Sequence, residues 1–108
     1  MFEDAVMWLL ENDRIHQRIT DMYAEFVDKV DPKGSIIDFL IQERVVNLET
    51  AEQLRRKETS HDRCRSLLYE LGSNGNPRAF VELRTALEDG YQWVVDKINE
   101  GTIITMHN

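Results

Sequence analysis

The sequence has little of what secreted and membrane proteins require. It contains one cysteine, Cys64, so no disulfide can form within the chain, and an unpaired thiol is typical of a reducing cytosol. No run approaches the roughly 20 apolar residues that cross a bilayer. The first ten residues are too acidic for a signal peptide, which begins with positive charge. These absences predict a cytoplasmic protein that does not act in a membrane.

Positive charge is also scarce. The chain of 108 residues, a length that suits one domain, has 13 lysines and arginines against 20 aspartates and glutamates, and its formal net charge is −7. Nucleic-acid binding depends on a basic surface, so this composition argues against it. Residues 1–31 carry eight acids and three bases, whereas residues 32–58 carry five of each. Such uneven charge favours electrostatic pairing with another protein.

Residues with catalytic or metal-binding chemistry are few. No glycine-rich loop carries the lysine and the serine or threonine that bind a phosphate. His61 and Cys64 are three residues apart, but a zinc site needs three or four ligands and the sequence has no second pair. Cys64 shares an apolar stripe with Leu67 and Leu68, which predicts an inert core thiol. We therefore expect no cofactor, no metal and no enzyme activity. A small helical enzyme or metal protein is the alternative, and stoichiometric zinc would support it.

Apolar residues recur at helical spacing along the chain, and no strand-like alternation persists. From Ile15 to Val30 they lie four, three, four and four residues apart, the spacing of one face of a single helix. Caps, such as Asn47 at the start of the third helix, and turn signals divide the rest of the chain into five further helices. The pattern predicts an all-α, six-helix antiparallel bundle within residues 12–101. Its helices are expected near 12–30, 35–44, 47–57, 60–71, 77–90 and 91–99.

Two segments flank this bundle. Residues 1–11 are apolar and acidic, and we expect them to form a short extra helix or to fold back on the bundle. Residues 102–108 follow a predicted helix end at Gly101 and are expected to be a tail or the start of a linker. Trp8 lies in the first segment, and a tryptophan exposed there is a candidate apolar interface.

Charged residues lie beside the predicted apolar stripes and are sorted by sign. Acidic residues flank the apolar stripes of the second and third predicted helices. We expect the stripe of the third helix, Leu48, Ala51 and Leu54, to be buried. If these two helices are neighbours, they present an acidic surface made of Asp38, Glu43, Glu49 and Glu52. A basic surface is expected from the first and fourth predicted helices, through Arg14, Arg18, Arg63 and Arg65. Patches of opposite sign allow head-to-tail self-assembly; ordinary surface charge is the alternative.

Several stretches resemble the caspase recruitment domain, or CARD, of the death-fold superfamily. The resemblance covers residues 12–101 and includes hydrophobic-Asp-x-Leu-hydrophobic and Ala-Phe-x-x-Leu patterns in the expected order. It implies a death-fold bundle that binds other CARD-containing proteins, caspases or adaptors, without catalysis, in apoptotic or inflammatory signalling. The stretches that carry it are IIDFLI (36–41), VVNLETAEQL (45–54), RCRSLLYEL (63–71) and GNPRAFVELRTALEDGYQWVVDKI (75–98).

The resemblance also implies contact residues. In the family, acidic residues of the second and third helices meet basic residues of a partner's first and fourth helices. Asp38 and Glu43 match acidic contact positions of the family. A further acidic position, on the third helix, is occupied by Ala51 in this chain, and the nearby Glu49 or Glu52 is expected to take its place.

On the basic side, Arg65 matches a contact position, His61 replaces an arginine, and a third position falls near Tyr23. The acidic surface is thus the better preserved of the two, which favours recruitment of a basic partner. Binding that uses His61 would weaken as pH rises, because only the imidazolium is charged.

Three roles fit this resemblance. The first is an adaptor or scaffold module at the N-terminus of a longer protein. The second is the prodomain of an initiator caspase, whose catalytic domain would follow residue 108. The third is a CARD-only decoy that inhibits assembly. Each role allows a homo-oligomer or filament as well as a heterotypic partner.

Overall fold

The computed structural model of the protein describes residues 2–106, with side-chain surroundings for residues 6–100. Every regular element in this part of the chain is a helix, which confirms the all-α prediction. There are seven such helices rather than six. Their bounds are α1 Phe2–Asp21, α2 Tyr23–Lys29, α3 Ser35–Gln42, α4 Leu48–Arg55, α5 Ser60–Ser73, α6 Ala79–Leu87 and α7 Gln92–Met106.

The predicted first helix is two helices with a break at Met22. The Met22 N–H lies 3.1 Å from the Ile19 carbonyl oxygen and 3.2 Å from that of Arg18, a tightening that marks a helix end. The two helices on either side of the break have different main partners, because α1 packs chiefly on α6 whereas α2 packs on α5. Residues 2–11 are the first half of α1 rather than a separate helix.

The core is organised around α6, which contacts both α1 and α3. Because α6 has neighbours on more than one side, seven of its residues are buried, including Glu82. Cys64 is fully buried, as the sequence predicts. The largest side chains that are fully buried include Phe26, Phe80, Leu40, Leu67, Leu83 and Ile98.

Leu48 was predicted to be buried, and this is wrong: its side chain is 73% exposed. The loop before α4 already buries Val45 and Val46. Helix α4 begins at Leu48 and contacts the bundle through Ala51 and Leu54, which are buried. The apolar stripe of this helix is therefore shorter than its sequence indicates.

The helix ends combine local caps with one cap from a distant helix. The Asn47 side chain accepts a hydrogen bond from the Thr50 N–H, 2.8 Å away, which confirms Asn47 as the cap of α4. Helix α6 begins at Ala79, two residues later than expected. Its free N–H groups are capped by Asn12 of α1, whose Oδ1 accepts from Phe80 at 2.7 Å. This contact fixes the middle of α1 against the start of α6.

The last helix was predicted to end at Gly101, and this is wrong, because α7 continues to Met106. A glycine inside a helix costs only about 1 kcal/mol relative to alanine. One glycine without a following proline is therefore a weak stop signal.

Candidate protein-interaction surfaces

The four acidic residues predicted to form a surface are all exposed on α3, α4 and the turn between them. Asp38 lies on α3 and Glu43 directly follows it, while Glu49 and Glu52 lie on α4. The two helices are in contact. We call this set (Asp38, Glu43, Glu49, Glu52) the acidic surface.

Two arginines of α4 neutralise part of the acidic surface. Arg55 forms an ion pair with Asp38 across the two helices, and Arg56 lies 3.7 Å from Glu52 one turn away. Among the described residues, neither Glu43 nor Glu49 has an ion-pair partner. Their charges are therefore the most available to another molecule.

Leu48 is exposed directly before Glu49, at the end of the turn that joins α3 to α4. Arg44 adopts a left-handed conformation with φ of 63°, and the Val45 N–H bonds back to the Leu40 carbonyl at 2.9 Å. These are features of a helix-ending motif that normally uses glycine. The turn presents an apolar side chain beside an unpaired carboxylate. Sequence periodicity alone did not indicate this.

Arg63 was predicted to lie on the exposed side of its helix, and this is wrong. Its side chain is 9% exposed. The guanidinium donates to Asp31 Oδ1 at 2.8 Å and to the Lys57 carbonyl oxygen at 2.9 Å. Arg63 thus joins α5 to the loop after α2 and to the end of α4. Its charge serves an ion pair within the fold and is not free on the surface.

Arg14 and Arg18 are also occupied within the molecule. Arg14 donates to the Ile98 carbonyl oxygen at 2.8 Å and Arg18 to the Lys97 carbonyl oxygen at 2.9 Å. Both side chains are half-buried between α1 and α7. Their guanidinium groups are therefore engaged in holding α1 against α7.

His61 and Arg65 are the predicted basic residues that remain exposed on α5. Their nearest acids are exposed too: His61 Nε2 is 3.4 Å from Asp28, and Arg65 is 3.3 Å from Asp62. A groove of about 350 Å³ brings both together with Tyr23 of α2. The five expected basic residues therefore do not form one surface, and only these two face solvent together.

The apolar residues around Trp8 stay exposed on α1 rather than folding back. The Trp8 ring contacts its own bundle through Arg78, whose guanidinium carbon lies 4.4 Å from the ring centroid. Its side chain remains 39% exposed.

A partly buried network of ion pairs joins α1 to α6 and α7. It was not predicted from the sequence. Glu11 pairs with Arg14 on its own helix at 3.1 Å and with Arg84 of α6 at 2.5 Å. Arg84 also donates to Asn99 of α7, 3.2 Å away. The bonds from Arg14 and Arg84 lower the pKa of Glu11 to about 2. Only the Glu11–Arg14 spacing was a signal in the sequence; Arg84 is 73 residues away.

The Glu11 network predicts a pH-dependent part of the stability. Because folding lowers the Glu11 pKa from 4.5 to about 2, its contribution is complete above pH 5 and is lost as pH falls toward 2. Glu11→Gln is expected to lower the free energy of unfolding by about 1 kcal/mol at pH 7, after allowance for partial exposure. Urea unfolding should show this difference vanish near the folded pKa. The control, Glu25→Gln, removes an exposed pair with Lys97. A pH-independent loss in Glu11→Gln would contradict the network.

Cys64, one of the two residues with metal-ligand spacing, is fully buried. Burial raises the pKa of the Cys64 thiol to about 12, so it stays protonated and poorly nucleophilic. Among residues 6–100, whose side chains the structure describes, no group of three His, Cys, Asp or Glu is placed to hold a metal ion. Between residues 2 and 106, no helix is both long and apolar enough to cross a bilayer.

Together these features define an all-α domain whose distinctive parts are exposed charged and apolar surfaces, a class that works by binding other proteins. A family model of the caspase recruitment domain matches residues 10–101. Because the match covers most of the chain, the protein belongs to the caspase recruitment domain (CARD) family. Comparison with curated proteins and with solved structures gives no significant match. As a CARD, it is a non-catalytic module that binds other CARD-containing proteins in apoptotic and inflammatory signalling.

Proposed function

We propose that this CARD is an acidic recruiter in the cytoplasm: its acidic surface binds a basic surface on another CARD-containing protein, a caspase or an adaptor. One contrast carries the proposal. All four residues of the acidic surface are exposed, whereas Arg14, Arg18 and Arg63 of the expected basic surface are held by intramolecular bonds. Head-to-tail assembly of identical copies needs both surfaces, so a heterotypic partner is favoured.

The acidic surface has the composition of a docking site. Glu43 and Glu49 supply charge that steers a basic partner during encounter. Leu48 lies beside them and, at 73% exposure, offers an apolar contact that becomes desolvated on binding. Charge of this kind raises association rates, while buried apolar contacts slow dissociation. The partner is expected to carry arginines or lysines around a shallow apolar recess.

The direct test is isothermal titration calorimetry against purified CARD domains whose surfaces are basic, with acidic CARD domains as the comparison. Binding is expected for the basic group only, and high salt should weaken it because screening acts on exposed charges. Binding to acidic CARD domains alone would overturn the proposal.

Arg55 is predicted to restrain this binding, because it pairs with Asp38 in the middle of the acidic surface. Arg55→Gln removes one positive charge and frees the carboxylate, so affinity for a basic CARD should rise about 3- to 10-fold, or about 1 kcal/mol. Arg65→Gln is the matched control. Arg65 lies on α5 and pairs with Asp62, which is not part of the acidic surface, so its loss should give no comparable gain. Equal gains in both variants would mean that only net charge matters.

A further inference from the structure

The first half of α1 carries an apolar segment that the bundle does not cover. Five consecutive side chains are between 39% and 64% exposed. Five successive positions pass around the whole circumference of a helix. A helix that is apolar on every side is normally buried. The segment consists of Val6, Met7, Trp8, Leu9 and Leu10.

This apolar segment is anchored at its C-terminal end and has a groove along it. Immediately after it, Glu11 bonds to Arg84 and Asn12 caps α6, which ties α1 to α6 at this point. A groove of about 650 Å³ lies along it, lined by Met7, Trp8, Leu10, Glu11 and Arg14. The match to the CARD family begins at residue 10. Most of the segment therefore lies outside the shared domain, and family contacts do not account for its exposure.

We propose that the apolar segment binds the same segment of a second copy, forming a twofold dimer through α1. From the exposed fractions, the five side chains present an area on the order of 500 Å², as large as the largest apolar patch of a typical monomer. Two such patches present about 1,000 Å² in all, so a dimer that buries most of both segments approaches the lower limit for a specific interface. Methionine and tryptophan are enriched in such interfaces, and homodimer contacts are the more apolar class.

A membrane surface fits this segment poorly. Helices that lie on membranes carry lysine and arginine on their polar face. Residues 1–13 contain four acids and no base, so anionic lipid headgroups would repel them. A twofold contact also brings the acids of the two copies near each other, and salt screens their repulsion. The contact is driven instead by each copy covering the apolar residues of the other.

The dimer leaves the acidic surface free. Helix α6 packs between α1 and α3, which separates the apolar segment from Asp38 and Glu43. A dimer would therefore present two acidic surfaces to a partner assembly. Two linked sites bind an array of partners more tightly than one site does. The dimer itself does not depend on the proposed acidic contact.

The experiment is light scattering on a size-exclusion column over a dilution series of the 108-residue chain, at low and high salt. The wild-type chain is expected to pass from monomer to dimer with concentration, and high salt should leave the dimer intact. Met7→Asp combined with Leu10→Asp should weaken dimerisation at least 10-fold. Tyr69→Asp is the control, since it adds charge at an exposed aromatic residue of α5 (78% exposed) outside both proposed surfaces, and it should dimerise normally.

Three results would overturn the dimer. They are a wild-type chain that stays monomeric at every concentration, a dimer that survives the Met7→Asp/Leu10→Asp change, or one that dissociates in high salt. Circular dichroism should show native helicity in both variants, because the altered side chains are exposed. A dimer that forms normally while calorimetry finds no basic CARD partner would leave this inference standing and remove the acidic-recruiter proposal alone.

Discussion

Replacing Arg63 by methionine is expected to lower the free energy of unfolding by about 2–4 kcal/mol. Methionine keeps the length and helix propensity of the side chain but removes the guanidinium that bonds to Asp31 and to the Lys57 carbonyl. Removing one member of a buried ion pair costs about 3–5 kcal/mol. The lower end applies here, because Asp31 keeps about a third of its side chain exposed. Urea unfolding followed by circular dichroism measures the change.

Arg65 provides the matched control for this prediction. It lies two residues further along α5, but its side chain is exposed and, among the described residues, forms an ion pair with Asp62 alone. Exposed pairs contribute little to stability, so Arg65→Met should change the free energy of unfolding by less than about 0.5 kcal/mol. Asp31→Asn should reproduce part of the Arg63→Met loss. Equal stabilities of Arg63→Met and Arg65→Met would mean that the buried ion pair does not hold these elements together.

Reversing both unpaired acids, Glu43→Lys with Glu49→Lys, is expected to weaken binding to a basic CARD by about 2–4 kcal/mol, or roughly 30- to 1,000-fold. Each change replaces an attraction with a repulsion. Neither acid has an ion-pair partner among the residues that the structure describes, so the free chain loses no internal pair. Titration calorimetry gives the affinity, and thermal unfolding should show nearly native stability.

A second double variant separates position from total charge. Glu88 and Asp89 are exposed acids in the turn between α6 and α7, and Glu88→Lys with Asp89→Lys changes the net charge by the same amount. This variant should keep most of the affinity, apart from a small loss in association rate. Equal losses in the two double variants would show that the protein attracts its partner through net charge, without a defined acidic surface.

Much of the fold was predictable because helix signals are local. Apolar spacing indicated where most helices lie, and Asn47 was identified as a cap from residue type and position. The burial of Cys64 followed from its place in an apolar stripe. The break at Met22 was not predictable in this way, since the spacing from Ile15 to Val30 suits one helix. The different main partners of α1 and α2, which are α6 and α5, become visible only in the folded molecule.

The candidate site was less predictable, since it depends on pairs of residues far apart in sequence. Leu48 continues an apolar stripe in the sequence. In the structure Val45 and Val46 of the preceding loop are buried, whereas the Leu48 side chain is exposed to solvent. Asp38 was identified as a contact residue without its partner, Arg55, which is 17 residues away.

The sequence by itself determined the helical class, the family, the excess of acid and the apolar start of α1. Each of these depends on composition or on neighbours within a few residues. The tertiary structure decided which charges are available to a partner. Arg63 and Arg65 flank the same buried stripe, and nothing local distinguishes them. Arg63 is buried because Asp31 and the Lys57 carbonyl meet it there, whereas Arg65 faces solvent. A charge is free or occupied according to the groups that folding brings beside it.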